Sequence, residues 1–155
     1  MKVLAWIEPA TWPAVVEAAR ARPGTDSITL LAADDPDESA PPGMARGLLG
    51  RGHRDPDPEL AALAAHEAEG LLRQAEEALG RPCRTLLVSG PTDQAITAAA
   101  ADADRLIIAR DGDRTRLGPH SLGRHARFVI DHAPCTVELI WPESIPGLET
   151  MPPPP

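Results

Sequence analysis

The sequence predicts an α/β fold: a five-stranded parallel sheet with helices on both faces, stacked as a three-layer sandwich. Three observations carry this. Five short apolar runs of strand length alternate along the chain with helical stretches, and strand–helix alternation means parallel strands joined by right-handed crossovers. The first run is continuously apolar rather than alternating, as a strand covered on both faces must be. Gly and Pro punctuate the junctions at Arg22-Pro23-Gly24, Gly80-Arg81-Pro82 and Gly90-Pro91.

Lys2–Ile7 (KVLAWI) is the first strand, and Glu8-Pro9-Ala10 is the turn leaving it. Thr11 can cap a short helix whose first turn tolerates Pro13, with Val15, Val16, Ala18 and Ala19 facing inward. Ser27–Ala33 (SITLLAA) is the second strand. The connection over 35–57, acidic and Pro-rich at both ends, is too long to be ordinary. Within it Leu48-Leu49 can anchor to the body, and Arg51-Gly52-His53-Arg54 reads as a solvated loop or as a lid. Pro58–Leu79 is the longest helix, with Leu60, Leu63, Ala64, Ala68, Leu71, Leu72, Ala75 and Leu79 on one face.

Arg84–Ser89 is the third strand. Thr92 caps an Ala-rich helix running through Asp102, whose small side chains let it lie close to the sheet. Leu106–Ala109 is the fourth strand, Ser121–His132 a helix stopped before Pro134, and Thr136–Trp141 the fifth strand. From Pro142 the tail, ending MPPPP, reads as disordered or polyproline II. The organisation is therefore one domain over 1–142 and a Pro-rich tail over 143–155.

Five strands of this kind favour the flavodoxin-like order 3-2-1-4-5, with the switch point between strands one and four. Ligands dock at the carboxyl ends of the strands there, where Glu8 leaves strand one and residues 109–118 leave strand four. A net charge of −8 on 155 residues argues against nucleic acid as an electrostatic partner. No run approaches the length of a membrane span, and the N-terminus reads as a strand rather than a secretory signal. The expected place is the cytoplasm. Cys83 and Cys135 precede strands predicted at opposite edges of the sheet, separated by roughly 19 Å (four strand spacings), so both read as reduced.

The loop after strand four is rich in Gly, Asp and Arg and enters a helix, where backbone N–H groups and the helix dipole attract anions. Gly112, Gly118 and Gly123 can line such a site or serve only as turns. Arg110, Arg114, Arg116 and Arg124 can clamp phosphates or pair with Asp111 and Asp113. Those two aspartates could also hold Mg²⁺ on a nucleotide. Trp12, near the switch point, can stack on a base or belong to the core.

Gly123, followed by His132-Ala133-Pro134-Cys135 and an apolar strand, resembles the C-terminal signature of the universal stress protein family. Gly90-Pro91 and Asp104-Arg105-Leu106-Ile107-Ile108 fit the same family, and the resemblance spans Val3 to Trp141. It implies the adenine nucleotide alpha hydrolase-like fold, a single-domain bacterial type, ATP or another adenine nucleotide as ligand, and a homodimer paired through the last strand. ATP-binding members carry G-x2-G-x9-G-[S/T] after strand four and an Asp after strand one. Here Ala109 stands at the first Gly, Gly112 matches the second, ten residues separate Gly112 from Gly123, and Arg124 replaces the hydroxyl residue. Glu8 stands for the Asp, between Ile7 and Pro9, and Ser121 can replace the lost hydroxyl. The loop is divergent, a site rebuilt rather than erased.

No nucleophile elbow, zinc helix or phosphate-binding Walker loop is present. The reading is a nucleotide-binding regulatory protein of stress response, with any hydrolysis slow and incidental. Two alternatives stand beside it: a homodimeric interaction scaffold that has lost ATP binding, and a nucleotide-dependent enzyme on the same fold.

Overall fold

The computed structural model describes residues 1–39 and 58–155, so the anchor at Leu48-Leu49 and the lid at Arg51-Gly52-His53-Arg54 lie outside the described residues. Strands β1 (Lys2–Trp6), β2 (Ser27–Asp34), β3 (Arg84–Ser89), β4 (Arg105–Ala109) and β5 (Thr136–Ile140) form one sheet. Its order is β3-β2-β1-β4-β5 and every pairing is parallel, as the alternating pattern predicts. The helices are α1 (Trp12–Arg20), α2 (Pro36–Ser39), α3 (Pro58–Leu79), α4 (Thr92–Ala99) and α5 (Arg124–His132).

The side-chain period of two explains how one strand serves two cores. Val3, Ala5 and Ile7 join Ile28, Leu30, Ala32, Ile107 and Ala109 against α1 and α3. Leu4 and Trp6 join Leu31, Leu106 and Ile108 against Ile96 of α4 and Ala126 and Val129 of α5. Burying each of these branched side chains stabilises the fold by about 1.5–3 kcal/mol. The small residues Ala64, Ala68 and Ala75 on α3, with Leu72 and Leu79, are all buried, so the long helix lies close to the sheet.

Several local details differ from the sequence reading. Leu63 is 46% exposed rather than inward, because it falls off the stripe that starts at Ala64 and Ala68. Thr11 occupies the N-cap of α1, but its buried hydroxyl makes no capping bond and finds no partner among the described residues. The backbone carbonyl of Glu8 instead accepts from the N–H groups of Thr11 and Trp12. Thr92 is the first residue of α4 rather than its cap; the carboxylate of Asp35 supplies the acceptor. The expected helix over 121–132 begins only at Arg124, preceded by a 3₁₀ turn over Pro119–Ser121.

Two arginines exchange helix ends beneath the sheet. Arg20 on α1 donates through Nε to the Leu79 carbonyl oxygen (3.3 Å) and through Nη2 to that of Ala78, closing the C-terminus of α3. Arg81, just past α3, returns the arrangement, donating to the carbonyl oxygens of Arg22 (2.7 Å) and Pro23 (2.9 Å) beyond α1. Unsatisfied C-terminal carbonyls are thereby paired with cations, as the helix dipole favours. Cys83 and Cys135 are free thiols at opposite edges of the sheet. Partial burial pushes both thiols up from their usual value, helped by Glu76 and Asp104 respectively.

Gly70 interrupts α3 in its interior, and a β-carbon there would meet only Arg73 Nη2 at 3.6 Å. Gly70→Ala should therefore stabilise the protein by about 0.5–1 kcal/mol, the ordinary helix-interior difference. Urea denaturation checks this: the midpoint rises, and a fall would mean that the glycine serves a packing need unseen in the structure.

Candidate functional site

A cavity of about 810 Å³ opens at the carboxyl ends of β1 and β2. Ile7, Glu8 and Pro9 form its edge on β1, Ala32 and Ala33 its floor on β2. Helix α3 supplies a polar wall through His66, Glu67, Gly70, Arg73 and Gln74. Asp35, Thr92 and His125 border it from the side of α4 and α5. The size falls within the range of small-molecule sites, about 300–1,000 Å³. Its described ionic lining is Glu8, Asp35 and Glu67 against Arg73, with two histidines.

The structure thus divides the residues expected to form one site. Ile7, Glu8 and Pro9 line the cavity, whereas Ala109 through Arg124 are not among its lining residues. Ala109 continues β4 opposite Ile140, with its side chain in the core. Trp12 packs against the α1-side core, and the tryptophan bordering the cavity is Trp6.

The loop from β4 to α5 is closed by its own backbone. Gly112 N–H donates to Ser121 O (2.9 Å) and Asp113 N–H to His120 O (2.8 Å). A β-carbon on Gly112 would overlap the His120 carbonyl oxygen and lie 2.9 Å from the carbonyl carbon of Ser121, so only glycine fits. Gly118 has φ of 121°, a conformation open to glycine alone at little cost, and it leads into the 3₁₀ turn. Ser121, fully buried, donates to Gly118 O (2.8 Å) and accepts from Arg110 Nη1 (2.6 Å).

Arg110, Arg114, Arg116, Asp111 and Asp113 each have a partner within the protein. The Arg110 guanidinium also lies 4.3 Å over the Trp141 ring, a favourable cation–π geometry. Arg114 forms a fork with Glu143 at 2.8 and 3.0 Å. Asp113 accepts from Thr115 N–H and Oγ1 at 3.0 and 2.6 Å and from Arg116 Nε at 3.2 Å. Asp111 Oδ1 accepts from Gly123 N–H at 2.6 Å, at the N-cap of α5. Arg124 is exposed in the first turn of that helix. No group of three or more metal-ligating side chains occurs among the described residues.

Of the two expectations for the tail, disorder and polyproline II, the structure shows an ordered segment docked on the loop. It returns onto the loop: Thr150 Oγ1 accepts from Leu117 N–H (2.9 Å), and Pro152 packs beside Gly118. Leu148–Thr150 form a 3₁₀ turn, and Met151 follows with φ −65° and ψ 128°, close to polyproline II. Composition alone could not reveal the docking, because its anchors (Glu143, Thr150, Pro152) are ordinary tail residues.

Sequence reasoning missed the α3 wall, Asp35 and His125. One signal was present: Gly70 in a helix interior, a position usually explained by packing or function. Positions 66, 73 and 74 then share a helical flank with it.

The Arg114 fork holds the Glu143 carboxyl below its ordinary value of 4.5, chiefly through the hydrogen bond. A depressed folded-state pKa contributes stability that is complete above the unfolded value and lost as pH falls through the folded one. The Arg114 Nε–H resonance should therefore shift with a midpoint below 4.5, and the shift should vanish in Glu143→Gln. A midpoint at or above the ordinary value would remove the fork.

The sequence pattern of the Universal stress protein family matches residues 8–140. Among curated proteins none matches the chain. Among solved structures, the universal stress protein UspA of Lactobacillus plantarum is similar at 21% identity and a TM-score of 0.61, over 90% of this chain and 97% of that one. A universal stress protein in complex with cAMP is 16% identical with a TM-score of 0.60, over 90% and 96%. A family protein of Arabidopsis thaliana with AMP bound is 16% identical with a TM-score of 0.53, over 98% and 95%. The fold is common to all three, and the family match covers both the cavity edge at Glu8 and the loop that enters α5. The chain belongs to the universal stress protein family.

Proposed function

We propose that this protein binds an adenine nucleotide in the cavity at the carboxyl ends of β1 and β2 and acts as a non-catalytic regulator in stress response. The observation carrying this is the cavity itself: about 810 Å³, bounded by Ile7, Glu8 and Pro9 at the edge where open α/β sheets take their ligands. Two structures of the same fold, described with cAMP and with AMP bound, support the adenine class. In this reading the adenosine end enters between β2 and α3, and the loop from Ala109 to Arg124 borders the phosphate end. Any hydrolysis of ATP is slow and incidental.

ATP with Mg²⁺ is the ligand that the divergent loop motif implies. The residues fit the adenosine half better than the phosphate half. Asp111 and Asp113, the candidate Mg²⁺ ligands, give their carboxylates to Gly123, Thr115 and Arg116. The reading needs no metal.

The protein is proposed to work in the cytoplasm as a homodimer joined through β5, an edge strand whose outer side has no partner strand among the described residues. One observation favours a second reading, an interaction scaffold without nucleotide: the tail docks on the very loop that would face phosphates. No described helix is long and apolar enough to cross a membrane.

Two measurements test these readings. Adenine nucleotides released from the purified protein on denaturation should be identifiable by mass. Added adenosine compounds should raise the melting temperature, by the equivalent of about 2.7 kcal/mol at a hundred times Kd. Gly70→Leu, which points a branched side chain into the cavity, should weaken this binding at least tenfold. If no adenine compound is released or shifts melting, the nucleotide reading fails and the scaffold remains. Light scattering should give the mass of a dimer, and a monomer at working concentration would remove the β5 pairing.

A further inference from the structure

Two helices that begin at this edge of the sheet, α4 and α5, each carry one of the chain's own carboxylates at the N-terminus. Asp111 Oδ1 accepts from Gly123 N–H at the start of α5 (2.6 Å). Asp35 Oδ2 accepts from Thr92 N–H and Oγ1 at the start of α4 (3.1 and 3.2 Å), and its Oδ1 accepts from Asp37 N–H in α2 (3.0 Å). These N–H groups, with the positive end of the helix dipole, are what a phosphate chain would otherwise use. A charge-assisted bond as short as that of Asp111 is among the stronger hydrogen bonds a protein makes.

Three of the loop's four cations are committed as well, and the fourth, Arg124, is exposed in the first turn of α5. Arg110 serves Ser121 and Trp141, Arg114 serves Glu143, and Arg116 serves Asp113. Among the described residues the cavity lining then holds Glu8, Asp35 and Glu67 against Arg73. A polyanion entering here would meet carboxylates in the places where it needs donors.

We infer that the site selects adenosine or an adenosine monophosphate over ATP, and that Asp111 is the residue that turns the triphosphate away. This rests on the adenine-nucleotide reading of the cavity and adds its ligand class. Asp111 does so by filling the N-terminus of α5 with a fixed negative charge, in a loop that the Gly112–Ser121 and Asp113–His120 bonds hold shut.

The test is titration of adenosine, AMP and ATP into the full-length protein by calorimetry. Adenosine and AMP should bind at least tenfold more tightly than ATP. Asp111→Asn keeps an acceptor for Gly123 N–H while removing the charge, and should raise the ratio of ATP to adenosine affinity at least tenfold. A ratio unchanged by the variant, or ATP binding as tightly as adenosine to the wild type, overturns the inference while leaving the nucleotide reading intact. If none of the three binds, that reading itself is lost. Salt gives a check that needs no variant. Screening should strengthen ATP binding relative to adenosine as ionic strength rises; a ratio that falls with salt would mean attraction, and would overturn the inference.

Discussion

Parallel strands can be joined only by crossovers, and each crossover lays a helix over one face of the sheet. With both faces covered, every strand must present apolar side chains in both directions. That requirement sets β1, β2 and β4 as nearly unbroken apolar runs, with Val3, Ala5 and Ile7 against α1 and α3 and Leu4 and Trp6 against α4 and α5. It also leaves the functional chemistry one place. Polar groups gather at the carboxyl edge, because that is where strands end and helices begin with unpaired N–H groups.

At that edge two solutions to the same problem stand side by side. A helix N-terminus can wait for an external anion or be closed by a carboxylate from its own chain. Asp35 and Asp111, each following a strand, take the second course. The tail reinforces it around the β4–α5 loop, through the Arg114–Glu143 fork and the Thr150 acceptor beneath Leu117. Rigidity near α5 and an open cavity near α3 are thus properties of neighbouring regions of one surface. An exposed fork is worth little alone; with the backbone bonds across the loop it acts as one of several locks.

The architecture was legible because it rests on periodicity and punctuation. The five strands and the helices that cover both faces follow from patterns within short windows. Family membership was legible from Gly123 and the His132–Cys135 segment. The site was only half legible. Ile7, Glu8 and Pro9 were named because a switch point can be read from strand order, and they line the cavity. Asp35 and the α3 wall were not, because their meaning depends on which side chain faces which across the fold. Hydrogen bonds such as Asp35 to Thr92, fifty-seven residues apart, leave no local trace. For the loop, Gly112 and Gly123 showed that something approaches closely. Only the folded structure reveals that what approaches is the chain itself.

The Asp111–Gly123 contact also bears on how such a chain can change over generations. A β-carbon at Gly123 would press against the Asp111 carboxylate at 2.8 Å, so the two positions are coupled. Removing the aspartate alone forfeits a hydrogen bond to a charged group, about 1.5–3 kcal/mol, before any new ligand compensates. Lifting the tail alone exposes Leu117 N–H and strands Arg114. Each single step toward a phosphate-binding loop therefore descends in stability, and the benefit arrives only after several. For its descendants the contact works as a ratchet: drift among sequences that keep the loop shut is easy, while the passage to an open one must cross a valley.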